Sequence, residues 1–168
     1  MDRTLQPGIA IGKVTDVNDP EQLGRVKLAF PWAAEAVQLW APVVSSMAGG
    51  ERGWFVMPEV DDEVAVAFDQ GQFDHPYVIG FLWNKQQKPP SSDPRQRMFR
   101  SKNGHCIRFI DSPEQAGDKG SIVIEDAHGN TIVLSNTHVS ITSRGAVQIN
   151  APTVSISGRP VRPVGPPI

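Results

Sequence analysis

The chain has 168 residues and a formal net charge of −2, the size of one domain or of one domain with an appendage. Gly and Pro contribute 15 residues each, close to a fifth of the chain, against a usual share of roughly 12%. This leaves little room for long helices, and the charge supplies no global attraction to nucleic acid or anionic lipid. A single cysteine, Cys106, excludes an intrachain disulfide and a multi-cysteine zinc site. Met1–Pro7 lacks the apolar core of a signal peptide, and no apolar run reaches membrane-span length, so a soluble protein made in the cytoplasm is expected.

Residues 8–83 read as short strands between turn residues. Gly8–Val17 places Ile9, Ile11 and Val14 among alternating positions, and Asn18-Asp19-Pro20 stops it with turn chemistry. Val26, Leu28 and Phe30 share a face of the next strand. Segments 39–46 and 54–57 follow, then Glu63–Phe68 with Val64, Val66 and Phe68 at period two, and finally Pro76–Trp83. Ten of the 12 aromatic residues fall in this region, and the strand spacing predicts a small closed barrel.

Residues 89–104 have a linker composition, beginning with Pro89-Pro90-Ser91-Ser92-Asp93-Pro94. From Lys85 to Arg108 there are seven basic residues and one acid, Asp93, which reads as a solvated connector or as a contact for an acidic neighbour.

Residues 105–158 repeat one small unit. Apolar residues flank one other residue at Ile107/Phe109, Ile122/Ile124, Ile132/Leu134, Val139/Ile141, Val147/Ile149 and Val154/Ile156. The spacing between first members runs 15, 10, 7, 8 and 7. Each unit is a very short strand with two side chains facing one way. No aromatic follows Phe109, so the core they build is too narrow for a ring. Seven or eight residues cannot wrap a single-chain solenoid coil, which takes at least roughly 20. The economical solution is three chains wound into a triangular prism; a disordered or edge-paired tail is the alternative. Residues 159–168 are rich in proline, which cannot donate to a ladder, and are expected to form an extended tail.

Motifs for catalysis are weak. Asp61-Asp62-Glu63 lacks the spaced ligands and glycine of a calcium loop and reads as a solvated turn. His75, His105, His128 and His138 are scattered, with no metalloprotease-type pair. His105 and Cys106 are neighbours whose side chains leave a strand on opposite faces. Ser45 and Ser46 lack a nucleophile elbow, and Gly49-Gly50-Glu51-Arg52-Gly53 is not followed by the Lys-Ser/Thr of a phosphate loop. No catalytic, cofactor or metal site is expected. Nucleic acid is the alternative, because small barrels bind single strands on aromatics such as Trp32, Trp40, Trp54, Phe55, Phe68 and Tyr77. Between Leu39 and Trp83, however, one base, Arg52, stands against seven acids. Phosphate neutralisation supplies most non-specific affinity, so core and interface roles suit these aromatics better.

The segment Gly24-Arg25-Val26-Lys27-Leu28-Ala29-Phe30-Pro31-Trp32 resembles the signature of the oligonucleotide/oligosaccharide-binding (OB)-type barrel of bacteriophage baseplate assembly protein V. The same barrel occurs in spike proteins of contractile injection systems, including the valine-glycine repeat proteins of type VI secretion. The resemblance continues through Trp40–Val44, Gly53–Val60 with Pro58, Asp62-Glu63-Val64 to Phe68, and Pro76–Asn84 with Gly80. Residues 103–110 and 128–134 resemble strands leading into a trimeric β-helix.

The resemblance implies an all-β chain: an OB-type barrel over 1–88, a linker, and an intertwined trimeric needle over 105–158. It implies a homotrimeric central spike with no enzymatic activity, assembled in the bacterial cytoplasm and carried outside or docked at a membrane on firing. Ile122, Ile124, Ile132, Leu134, Val139, Ile141, Val147, Ile149, Val154 and Ile156 would form the needle core. No long segment precedes Gly8, so a separate hub protein is implied. A tip protein with proline-alanine-alanine-arginine repeats is implied at the C-terminal end. No His follows His138, so no tip metal carries over. An OB-fold module for single-stranded nucleic acid or oligosaccharide remains the second reading.

Overall fold

The computed structural model describes residues 8–33, 37–114 and 117–161. The chain packs as two units, 1–89 and 90–168.

In the first unit, β1 (Ile9–Asp16), β2 (Arg25–Ala29), β3 (Gln38–Pro42), β6 (Glu63–Phe68) and β7 (Pro76–Leu82) form one antiparallel sheet in the order β3-β2-β1-β6-β7. The small hairpin β4 (Ala48–Gly49) and β5 (Arg52–Gly53) lies between β3 and β6. Bulges interrupt β1 at Val14/Asp16 and the β6–β7 pairing at Ala65/Val66. Bulges raise local twist, and the sheet curls until Val43 bridges Val78 of the far edge strand.

Alternation puts Val14, Val26, Leu28, Phe30, Ala41, Val64, Val66, Phe68 and Val78 inside the curl, where they form the core. Each large one contributes about 1.5–3 kcal/mol by burial. On β1 the inward positions are Ala10, Gly12 and Val14, while Ile9 and Ile11 face solvent. Gly12 is required by close packing: a Cβ there would lie 3.1 Å from Val66 Cγ2 and 3.5 Å from Leu28 Cδ1 and Phe30 Cε1. Phe30, Trp32, Phe68 and Phe73 cluster with ring centroids 5.2–5.7 Å apart. The expected strand at 54–57 does not form; the hairpin β4–β5 takes the paired positions just before it.

In the second unit, β8 (Gln96–Arg100), β9 (Cys106–Ile110), β10 (Ser121–Glu125), β11 (Thr131–Ser135) and β12 (His138–Thr142) form an antiparallel meander in chain order. Part of the stretch expected to be linker therefore supplies a strand, with Phe99 opposite Ile107 on one face and Met98 opposite Arg108 on the other. A last hairpin pairs β13 (Ser155–Ile156) with β14 (Arg159–Pro160). Proline was expected to end the ladder at 159. Instead Val161 N–H donates to Val154 O at 2.6 Å, so the bond that closes the hairpin needs no donor from Pro160. Residues 162–168 of the expected tail lie outside the described residues. Val147 and Ile149, expected in a strand, have no strand partner among the described residues.

Candidate functional site

The register of the second sheet sorts its side chains into two faces. On one, Phe99, Ile107, Ile124, Ile132 and Ile141 lie across from one another as a row spanning all five strands. A second row runs Phe109, Ile122, Leu134 and Val139. All nine are between 38% and 65% exposed. An open hollow of about 590 Å³ over the first row is lined by Phe99, Ile107, Ile124, Ile132, Ile141 and Val147. Another, of about 550 Å³, lies over the second row. Val147 reaches the first hollow without belonging to a strand.

The opposite face carries Cys106, Arg108, Val123, Glu125, Thr131, Val133 and Ser140, and there Cys106 and Val123 are buried. Arg108 Nη2 donates to Glu125 Oε2 at 2.9 Å on this side. The chain thus covers its small and charged face and leaves its large apolar face open. Continuous apolar surface of this kind marks an interface rather than a solvent boundary.

Turn chemistry fixes the register. Asp126 accepts hydrogen bonds from the backbone N–H of His128 (2.9 Å) and Asn130 (2.8 Å) and from Asn130 Nδ2 (2.7 Å). The Asn130 backbone bond, then its side chain, holds the Asp126 carboxyl down to about 2. At the β9–β10 connection, Gly120 has φ +93°, and a Cβ there would lie 1.8 Å from Ile110 O. Arg108–Glu125, the Asp126 turn and β8 were not singled out from the sequence. Their signals are a cross-strand charge pair, an Asp four residues before Asn, and two adjacent apolar residues inside a basic run.

Of the residues proposed for the needle core, Ile122, Ile124, Ile132, Leu134, Val139 and Ile141 share the open face. Val147, Ile149, Val154 and Ile156 lie beyond β12 and outside its two rows.

The barrel motif residues divide between core and turns. Val26, Phe30 and Val64 are buried core, and Pro58 and Pro76 are buried as well. Gly24 takes φ +73°. Arg25 Nη2 meets Asp19 at 2.7 Å and Glu21 at 3.1 Å, and Arg25 pulls the Asp19 carboxyl well below the usual carboxylate range. Pro31 and Trp32 are exposed at the turn after β2. Asp62 accepts Glu59 N–H (2.8 Å) and Gln87 Nε2–H (2.9 Å), and Glu63 stands opposite Lys13. Asn84 Oδ1 accepts the N–H of Gln86 and of Gln87, each at 2.8 Å. Gly80 lies opposite Ala65 with open space above it.

Among the aromatics weighed for base stacking, Phe68 is core, and Trp40 lies beneath both Arg25 and Lys27, each 5.8 Å from its ring centroid. His105 and His128 have ring centroids 6.3 Å apart. Among the described residues no cluster of three or more His, Cys, Asp or Glu is arranged to hold a metal ion, and no helix is long and apolar enough to cross a membrane.

Residues 10–83 match the family described as the type VI secretion system/phage-baseplate injector OB domain, and residues 96–160 match the phage baseplate V C-terminal trimerisation domain. Together the two matches place the chain in the phage baseplate V family. It is 28% identical over 129 residues to the type VI secretion system spike protein VgrG5 of Pseudomonas aeruginosa, covering 74% of this chain and 16% of that relative. To VgrG2a, a spike protein of the same organism, it is 30% identical over 84 residues, 47% of this chain and 10% of the relative. To the actin cross-linking toxin VgrG1 of Vibrio cholerae it is 30% identical over 82 residues, 46% and 8% respectively. The chain therefore spans a small fraction of each relative's length.

Proposed function

We propose that this protein is a non-enzymatic central spike of a contractile injection system or phage-like tail baseplate. The observation that carries this reading is the open two-row apolar face within the part of the chain that matches a trimerisation domain. Three chains bring three such faces together, and each large side chain removed from water contributes about 1.5–3 kcal/mol. In that assembly residues 105–158 form a three-walled needle, whose core adds Val147, Ile149, Val154 and Ile156 from the neighbouring walls.

The barrel end attaches to a separate hub protein, and the C-terminal end carries a tip protein with proline-alanine-alanine-arginine repeats. The particle assembles in the bacterial cytoplasm and meets a target membrane on firing. Stiffness suits this role, because interwound strands pair their edges and pack without voids.

Light scattering on a sizing column tests the reading. A solution mass of about three times 18.3 kDa is expected. A monomer at micromolar concentration overturns it and returns the barrel to the class of OB-fold binding modules.

A further inference from the structure

The second sheet ends in β12, and the ladder shows which backbone groups of that edge are free. Asp126 N–H donates to Asn130 O at 3.1 Å, so these two residues are a hydrogen-bonded pair across the β10–β11 turn. Such pairs alternate along an antiparallel ladder. Ile132 and Leu134 therefore bond toward β10, and Thr131, Val133 and Ser135 toward β12. Their partners Thr142, Ser140 and His138 bond back to β11. The N–H and C=O groups of Val139 and Ile141 then point out of the sheet edge, beside the two most exposed side chains of the apolar rows.

Val147-Gln148-Ile149 repeats Val139-Ser140-Ile141 eight residues later, two aliphatics about one polar residue. A meeting of the two within one chain requires a return turn, and the chain makes none. Among the described residues no backbone hydrogen bond closes a turn over residues 142–147. Arg144 N–H instead donates to Asn130 Oδ1 at 3.3 Å, and Arg144 Nε lies 2.8 Å from where a Cβ at Gly129 would stand. These contacts carry the chain across the β10–β11 turn, and Ala146 and Val147 then line the hollow over the first apolar row. The segment leaves on the open side of the sheet, and the β12 edge stays bare.

Both the edge and the segment lie within residues 96–160, which match a trimerisation domain, so the occupant of the edge is sought in a second copy. The β8 edge of that copy does not fit. Asp111 N–H to Arg95 O and Ser101 N–H to His105 O set its phase, and its outward groups belong to Gln96, Met98 and Arg100. An antiparallel joint would set Met98, from the covered face, against Val139 or Ile141 from the open face. A parallel joint would link three five-stranded sheets into a fifteen-stranded barrel, near the size at which barrels hold a water channel, here lined with isoleucine.

The segment 146–150 does fit. With Val147 beside Val139 and Ile149 beside Ile141, all four aliphatics share the open face and Gln148 joins Ser140 on the other. Val139 N–H then donates to Ala146 O, Gln148 N–H to Val139 O, Ile141 N–H to Gln148 O and Asn150 N–H to Ile141 O. Every outward group of Val139 and Ile141 is satisfied, by the slanted bonds of a parallel ladder. The direction follows from the missing return turn. A chain that moves on to the next wall without reversing runs the same way as that wall's own β12.

We infer that residues 146–150 of each copy pair in parallel with the β12 edge of the next, Val147 opposite Val139, an exchange of strands that rests on the trimeric reading above. Cysteines on the polar face test it without touching the apolar rows. The full chain carries S140C with Q148C, or T142C with N150C, and its native Cys106 is buried. Light scattering first establishes the mass of each variant. Under mild oxidation both double variants are expected to give disulfide-linked trimers on a denaturing gel, and the four single variants monomers.

A disulfide requires Cα atoms within about 7 Å, so the links report the contact itself. Reversed strands would still set Gln148 opposite Ser140, but Ala146 opposite Thr142. Linked trimers from S140C/Q148C alone therefore overturn the parallel register. A trimer by mass whose new cysteines stay open to maleimide overturns the exchange and leaves the trimeric reading standing. A trimer by mass that runs as monomers with its new cysteines closed overturns it too, because each segment then folds back on its own chain. A monomer by mass overturns the trimeric reading first, and the exchange falls with it.

Discussion

Arg108 and Glu125 meet at 2.9 Å on the covered side of the second sheet, while their chain neighbours Ile107 and Ile124 lie across from each other on the open side. The pair is three-quarters covered, so it is screened less than a surface ion pair. It ties β9 to β10 in the one register that lines up both apolar rows, since a slip of one residue would send every side chain to the other face. A double-mutant cycle with R108M and E125Q is expected to give a coupling of about 1 kcal/mol or more in thermal unfolding, where exposed pairs give roughly 0.2–1 kcal/mol. A coupling near zero would remove the pair from this role.

Gly120 sets the β9–β10 connection by backbone conformation. Its φ of +93° alone costs a non-glycine residue about 1–2 kcal/mol, and the Ile110 carbonyl occupies the place of a Cβ. G120A is expected to destabilise the second sheet by more than that amount. Hydrogen exchange should show faster exchange in residues 106–125, with the barrel amides unchanged. A variant as stable as the parent would contradict the turn geometry.

Leu28 is fully buried among Val14, Val26, Val64 and Val66. L28A leaves a cavity, and the expected loss is about 2–5 kcal/mol. Because the two units pack separately, the loss should appear in the barrel's unfolding transition, followed by the fluorescence of Trp32, Trp40, Trp54 and Trp83, all of which lie before residue 90. A shift below about 1 kcal/mol would show that the curled sheet collapses onto the gap.

Acid is expected to loosen the β10–β11 turn. The hydrogen bonds from Asn130 hold the Asp126 carboxyl down to about 2, below the usual aspartate value of about 3.9, so its folded pKa is depressed. A depressed carboxyl adds stability that is fully present above its unfolded pKa and is lost as pH falls through the folded value. The window is therefore from near pH 4 down to near pH 2. The Asp19 carboxyl, held low by Arg25, contributes in the same direction and extends the loss to lower pH. D126N should flatten the acid limb of a melting-temperature profile between those limits. An unchanged limb would place the acid sensitivity elsewhere.

Much of this was legible in the sequence because it follows from period-two alternation. Glu63–Phe68 is a strand with the expected limits, and Val26, Leu28 and Phe30 are the inward positions of β2. Six of the ten residues proposed for the needle core fall on one open face for the same reason. Less legible were features that depend on partners distant in sequence. Gln96–Arg100 reads as a basic connector until β9 is there to pair with it. Ile9 and Ile11 look like core residues, yet Ala10 and Gly12 face inward, and at Gly12 a Cβ would press against Val66, Leu28 and Phe30. Pro160 looks like a terminator, yet the hairpin closes through Val161. Alternation reveals which residues share a face, but not which face the fold covers.

Val147 and Ile149 carry the sharpest consequence of that distinction. Among the described residues they pair with no strand, and they are 56% and 67% exposed, so a solitary molecule has little stability to lose when they become polar. In a three-walled needle they face two other chains, and an aspartate at each would place six carboxylates in an apolar core. An uncompensated buried charge costs about 3–5 kcal/mol, and this core would hold six of them. The variant V147D/I149D is therefore expected to keep its barrel fold and to elute at the mass of one chain instead of three. A variant that remains a trimer would show that the chains associate without these residues, and the prism would have to end at Thr142.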